Sequence, residues 1–265
     1  MSLKPPGTNP AAHTNFEEIL SEAASPRITA MEKNHIYQYS LLNALMDGVS
    51  ETGISVSKFQ EKGNQGLGTF SRMDGELLFL DGTVYKLRAG GDISVASPDE
   101  QIPYGVCTNF VPDDTKQVTL ADKSSIEQEL ERFKPHATNL FLSYRITGRF
   151  THIKARTVRG QEYKGQPLSE LKDNQFVKDY ENIDATIIGF RSPKSWQGFA
   201  VAGQHLHFIS EDHKAGGHIL ELSSDGEVSM TVAVSSSIHI DLPTSDEFND
   251  AELTLDDAGI KRAEG

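Results

Sequence analysis

From Gly63 onward, apolar and polar residues alternate in short runs broken by turn signals, the pattern of antiparallel strands. Asp74-Gly75 and Asp81-Gly82 bracket Glu76 to Leu80. Val84 to Leu87 follows, and Ala89-Gly90-Gly91 ends the run. The spacing predicts a meander of hairpin-linked strands. Further strands are expected at Leu140–Ile146, at Arg149–Val158 after a Thr147-Gly148 turn, at Ala185–Phe190 and at Gly198–Ile209. His218–Leu222, Val228–Val234 after a Ser224-Asp225-Gly226 turn, and Ile238–Leu242 complete the set.

Helical spacing is rarer. Asn15 is placed to cap a helix over Phe16–Ala24 that stops before Pro26. Tyr37, Leu41, Ala44 and Leu45 form a stripe that predicts a helix from His35 to Met46, ended by Asp47-Gly48. Ser124-Ser125-Ile126-Glu127 reads as a capping box opening a helix with Ile126, Leu130 and Phe133 on one face. A short helix fits Pro167–Phe176. The sum is an α/β chain of mixed, β-rich α+β type, with two sheet-containing domains and a few helices. Residues 1–34 read as a flexible N-terminal tail with one short helix. Residues 35–139 read as an N-terminal mixed-sheet domain and 140–265 as a C-terminal β-rich domain, with the loop near Pro112 to Lys123 as the boundary candidate.

Composition narrows the function. The 265 residues suffice for a substantial core, and 37% hydrophobic with 24% charged residues suits a globular protein. Acidic residues outnumber basic ones 38 to 25, a net charge of −13. That argues against nucleic acid, whose phosphates call for clustered Lys and Arg. An anionic small substrate would need a local cationic site. One cysteine, Cys107, excludes an intramolecular disulfide and a thiolate cluster, and is expected to be a packed thiol. No apolar run is long enough for a membrane span, and no secretory signal pattern stands at the start, so the expectation is a cytoplasmic protein.

The chemistry concentrates in Gly203-Gln204-His205-Leu206-His207-Phe208-Ile209 and the later Gly216-Gly217-His218. On a strand, His205 and His207 share a face while Leu206 and Phe208 take the other. If the Gly pair returns the chain as a hairpin, His218 lies opposite His207. Three imidazoles with an open fourth position make a catalytic zinc site. His213, at the expected hairpin tip, is taken as solvated. Two other readings stay open. His205, His207 and Glu211 have the spacing of a cupin-type metal motif, although the upstream glycine is off by one at Gly198. The chain would also suit a non-catalytic β-rich binding module, with the histidines as a structural or incidental site; its turn-rich strands and single Trp196 are compatible with ligand binding.

Several segments together resemble the α-acetolactate decarboxylase family. They are Ile36 to Ser40, Gly66-Leu67-Gly68-Thr69-Phe70, Met73-Asp74-Gly75-Glu76, Tyr144 to Gly148, Arg156-Thr157-Val158 and the histidine element, in family order over residues 36–265. The resemblance implies a two-domain protein, a homodimer, holding Zn²⁺ on His205, His207 and His218. It implies Glu76, Arg156 and Glu264 as catalytic residues, the last on a C-terminal tail reaching the site, with Glu252 as the alternative second carboxylate. The implied reaction converts (S)-2-acetolactate, a small anionic 2-hydroxy-3-oxo acid, to (R)-acetoin and CO₂ through a metal-stabilised enediolate protonated on one face. No organic cofactor is implied, because the β-keto group serves as the electron sink. The chain departs from the family at Gln204, where Tyr is common. It also has Gly63-Asn64-Gln65-Gly66 for Gly-Asp-Phe-Gly, and Ala185 for Gly.

Overall fold

Strands dominate the described residues, 32–253, of this computed structural model. The helix expected over Phe16–Ala24, the rest of the tail before residue 32, and Glu264 lie outside them. In chain order come β1 (Ile36–Tyr39), α1 (Leu42–Met46), β2 (Ile54–Ser55), α2 (Val56–Gln60), β3 (Gln65–Thr69), β4 (Glu76–Leu80), β5 (Thr83–Leu87), β6 (Ile93–Val95), β7 (Gln101–Ile102), β8 (Tyr104–Thr108) and β9 (Asp114–Val118). Then come α3 (Ser124–Phe133), β10 (Phe141–Val158), β11 (Gln175–Ser192), β12 (Gly203–Ser210), β13 (Gly216–Ser223), β14 (Val228–Ser235), β15 (Ile238–Asp241) and α4 (Asp246–Asn249). Leu168–Asn174 forms a 3₁₀ turn where the short helix was expected. No helix among them is long and apolar enough to cross a membrane.

The strands form a seven-stranded sheet ordered β15-β1-β8-β3-β4-β5-β6 and a six-stranded sheet ordered β11-β12-β13-β10-β14-β9. β10 also pairs with β11 from Leu142 to Val158, so the pairings of β10, β11, β12 and β13 run in a ring. Chain order and sheet membership interleave: β9 joins the six-stranded sheet and β15 the seven-stranded one. One core lies under α3, where Ile126, Leu130 and Phe133 meet Tyr144, Leu206, Phe208 and Ile219. A second lies between the sheets, where Ile36, Leu67, Leu78 and Val106 meet Phe141, Ile188, Phe190 and Ile209.

Three sequence expectations are corrected. The helix over His35–Met46 splits into β1 and α1, because Ile36, Tyr37 and Gln38 are buried and pair with β8 on one side and β15 on the other. Sheet pairing on both edges overrides the local helical stripe. The Thr147-Gly148 turn is absent. β10 runs straight through it with Gly148 at φ 153°, where a Cβ would come within 2.9 Å of the Val228 side chain. The capping box at Ser124 is also replaced. The Asp122 carboxylate accepts from the Ser125 backbone N–H at 3.0 Å and from the Ser124 hydroxyl at 2.6 Å, two residues earlier than expected.

Candidate metal centre

Alternation along β12 sends Leu206 and Phe208 into the core under α3, and His205, His207 and Ile209 toward the seven-stranded sheet. Across the hairpin, His207 stands opposite His218, and His218 stands opposite Arg156 on β10. Facing residues on adjacent strands present side chains on one face, so the three line up as a row.

A bulge makes that row possible. Lys154 pairs with Glu221, yet Ala155 pairs with Ile219, leaving Leu220 as the extra residue on β13. The slip lets Ile219 and Leu222 both face the core while His218 turns to the opposite side. Gly217 precedes it at φ 149°, where a Cβ would lie 2.6 Å from the Arg156 carbonyl oxygen. Arg156 shares its strand face with His152 and Lys154, which pair with Asp179 and Glu221 at 2.8 and 2.9 Å. Two residues on, the face is covered, and Arg156 is only 4% exposed.

Glu76 arrives from the facing sheet. It begins β4, a strand in the interior of its sheet, and is 7% exposed. Asp74 of the same Asp-Gly-Glu motif serves the fold instead, bonding the buried Lys86 at 2.9 Å. A Glu76 carboxylate oxygen lies 3.5 Å from His207 Nε2. His207 Nδ1 donates to the Leu77 carbonyl at 2.7 Å, which leaves the lone pair of the neutral ring on Nε2.

The three ring centroids are 5.1–5.4 Å apart, and one ligand atom from each histidine falls within 4.8 Å of the others. Burial, then the Arg156 and Lys123 charges, push the His205 pKa down to about 3. The same burial and Arg156 hold His218 well below its ordinary value. These imidazoles are therefore neutral donors at physiological pH, as metal ligation requires. The donor set fits a divalent ion. Neutral nitrogens converge on a spacing one ion can span, and a lone pair faces a carboxylate oxygen where a cation reconciles them.

Those shifts predict how acid acts on the metal-free protein. His205 and His218 take up protons in the unfolded chain near pH 6.5 but resist them when folded. Their contribution to stability is full above about pH 6.5 and is lost as the pH falls toward 3, at up to about 1.4 kcal/mol per pH unit for each ring. Denaturant unfolding of chelated protein between about pH 7.5 and pH 5 measures this. A midpoint unchanged over that range would contradict the burial argument.

A small cavity is lined by Glu76, Arg156, His205 and His218 on its polar side. Leu45, Met73, Tyr104, Val158 and Leu168 supply apolar wall. The structure thus brings together five of the six site residues expected from sequence, and Glu264 lies outside the described residues. Glu252 is exposed and is not among the residues lining the cavity. Glu211 is exposed beyond the end of β12 and outside the histidine cluster. His213 is exposed, its ring edge-on to Tyr85 at 5.0 Å. Cys107 is fully buried, and burial holds its thiol pKa well above the usual value. Sequence reasoning missed Thr69, Tyr104 and Lys123. Thr69 lay within a quoted motif, but nothing local marked the other two.

Three convergent imidazoles, a carboxylate and a buried guanidinium, gathered where two sheets meet, define a β-rich protein with a candidate metal centre and an anion-receptive pocket. The chain belongs to the alpha-acetolactate decarboxylase family, whose model matches residues 36–255. It is 35% identical over 245 residues to the alpha-acetolactate decarboxylase of Methanosarcina mazei, covering 91% of this chain and 83% of that one. It is 34% identical to that of Bacillus licheniformis, covering 90% and 95%. The crystal structure of alpha-acetolactate decarboxylase from Bacillus subtilis superposes with a TM-score of 0.83 at 32% identity, covering 88% of this chain and all of that one.

Proposed function

We propose that this protein catalyses the zinc-dependent decarboxylation of (S)-2-acetolactate to (R)-acetoin and CO₂. The observation that carries the proposal is the convergence of His205, His207 and His218, with Glu76 beside His207 and with Glu76, Arg156, His205 and His218 lining one cavity, in a chain of this family.

A zinc ion on the three histidines supplies a Lewis acid for the negative charge that develops on the ketone oxygen. Arg156 holds the substrate's anionic end. Its guanidinium is buried beside His218, so the attraction is little screened by water. The walls formed by Leu45, Met73, Tyr104, Val158 and Leu168 sit against the methyl groups and exclude solvent. Breaking the bond to the carboxylate carbon releases CO₂ and leaves its electron pair in an enediolate. One proton must return to carbon. Glu76 is fixed in the interior of its sheet beside His207; taking a proton from solvent, it gives it from the acid form to one face only and returns to the carboxylate.

Chiral analysis of the product tests this reading. Racemic 2-acetolactate is expected to yield acetoin of a single configuration. Racemic acetoin, formed no faster than without protein, would sink the assignment. The cupin-type alternative is weakened by the exposure of Glu211. Glu211→Ala is expected to leave zinc stoichiometry and turnover within about twofold of wild type, since surface changes are near neutral. Loss of the metal in that variant would restore the cupin reading.

A further inference from the structure

Behind the histidine row, on the α3 side, a polar chain joins three elements. The hydroxyl of Tyr144 on β10, itself fully buried, donates to Gln204 Oε1. Gln204 Nε2 donates in turn to the Glu127 carboxylate on α3. Both ends of the amide are thus specified. Arg191, opposite Gln204 in the ladder, has its Nε 3.9 Å from Glu127 and donates to the Ala137 and Thr138 carbonyls at 2.9 and 2.8 Å. Tyr144 cannot drift, because its ring covers Gly189 so closely that a Cβ there would lie 2.2 Å away.

Just before Gln204 the backbone pairs with Ser192, but Gly203 brings no side chain. Gly203 has φ 89°, and a Cβ built on it would meet nothing within 4 Å. Gln204 carries the first side chain of β12, bonded at both ends of its amide, and the next residue is His205, pointing to the opposite face.

We propose that Gln204, held by Tyr144 and Glu127, is a positioning residue for His205. It fixes the start of β12 so that the His205 imidazole stays converged with His207 and His218. The inference rests on the reading of the three histidines as metal ligands. Partners bonded directly to ligating histidines are worth about 10–100-fold in metal affinity, and Gln204, which acts through the backbone, is expected at the lower end of that range.

The test uses the full-length protein, Gln204→Leu, and the double variant Tyr144→Phe/Gln204→Leu. Zinc affinity is measured by competition with a chromogenic chelator. The ligand field is read from the visible bands of the cobalt(II)-loaded protein, and stability from thermal melts of the metal-free forms. Gln204→Leu strands the buried Tyr144 hydroxyl and is expected to lower the melting temperature. The double variant removes both polar groups and is expected to recover stability. Both are expected to bind zinc about tenfold more weakly and to show shifted cobalt bands. Wild-type affinity and spectrum in the stable double variant would overturn the proposal, leaving Gln204 as a packing residue only. Wild-type protein that binds no zinc would overturn the metal reading itself, before any variant is made.

Discussion

Replacing His207 with alanine is expected to remove zinc binding and turnover together. His207 is fully buried at one end of the row, opposite His218, with Glu76 3.5 Å from its Nε2. A catalytic zinc holding only two protein ligands loses the geometry that fixes its open position. The activity loss should exceed the roughly 10–100-fold that follows loss of an outer contact. The fold should suffer less. Losing the bond to the Leu77 carbonyl, and the packing around the ring, costs about 1–3 kcal/mol. Metal content, acetoin assays and thermal melts with and without added zinc check this. Wild type should melt higher with zinc, and the variant should not respond. A non-catalytic binding module predicts another outcome: the variant destabilised, with no acetoin formed by either protein.

Glu76→Gln is expected to lower turnover by about 10²–10⁴-fold, the usual worth of a positioned proton donor. The substitution keeps the side chain's volume and removes only its ability to hold and release a proton. Because Glu76 is buried in the site and not at the surface, the change falls directly on the cavity. Zinc content should stay near wild type, since the metal reading assigns the ligands to the three histidines. Retention of full activity would show that Glu76 is not the donor. Loss of zinc with loss of activity would move it into the ligand set.

Much of the candidate centre was legible because it is built on the two-residue strand period. The spacing of His205 and His207 set their shared face, and the returning strand puts His218 opposite His207 as expected, but Gly216 and Gly217 are not the turn: they lie inside β13 opposite Ile209 and Phe208, and residues 211–215 turn the chain, held by Ser210 and Asp212. Glu76–Leu80 emerged as β4 with its ends where the Asp-Gly turns put them. What could not be read locally depends on distant partners. Alternation alone groups Arg156 with the surface pairs at His152 and Lys154, and only the covering of the strand's end buries it. The bulge at Leu220 has no signature in the residues around it, yet it turns His218 toward the cavity. The approach of Glu76 to His207 is a contact between sheets 131 positions apart in the chain by subtraction of their numbers, which no periodicity encodes. β1 was hidden for the same reason: it is strand because β8 and β15 flank it.

The most direct test of the central claim follows acetoin formation from racemic 2-acetolactate with one preparation in three states. These are as purified, after chelation, and after zinc is restored. The account predicts rapid formation in the first state, the spontaneous rate in the second, and recovery in the third. Turnover that survives complete removal of metal would contradict it, since His205, His207 and His218 would then be holding something other than the ion that drives the reaction.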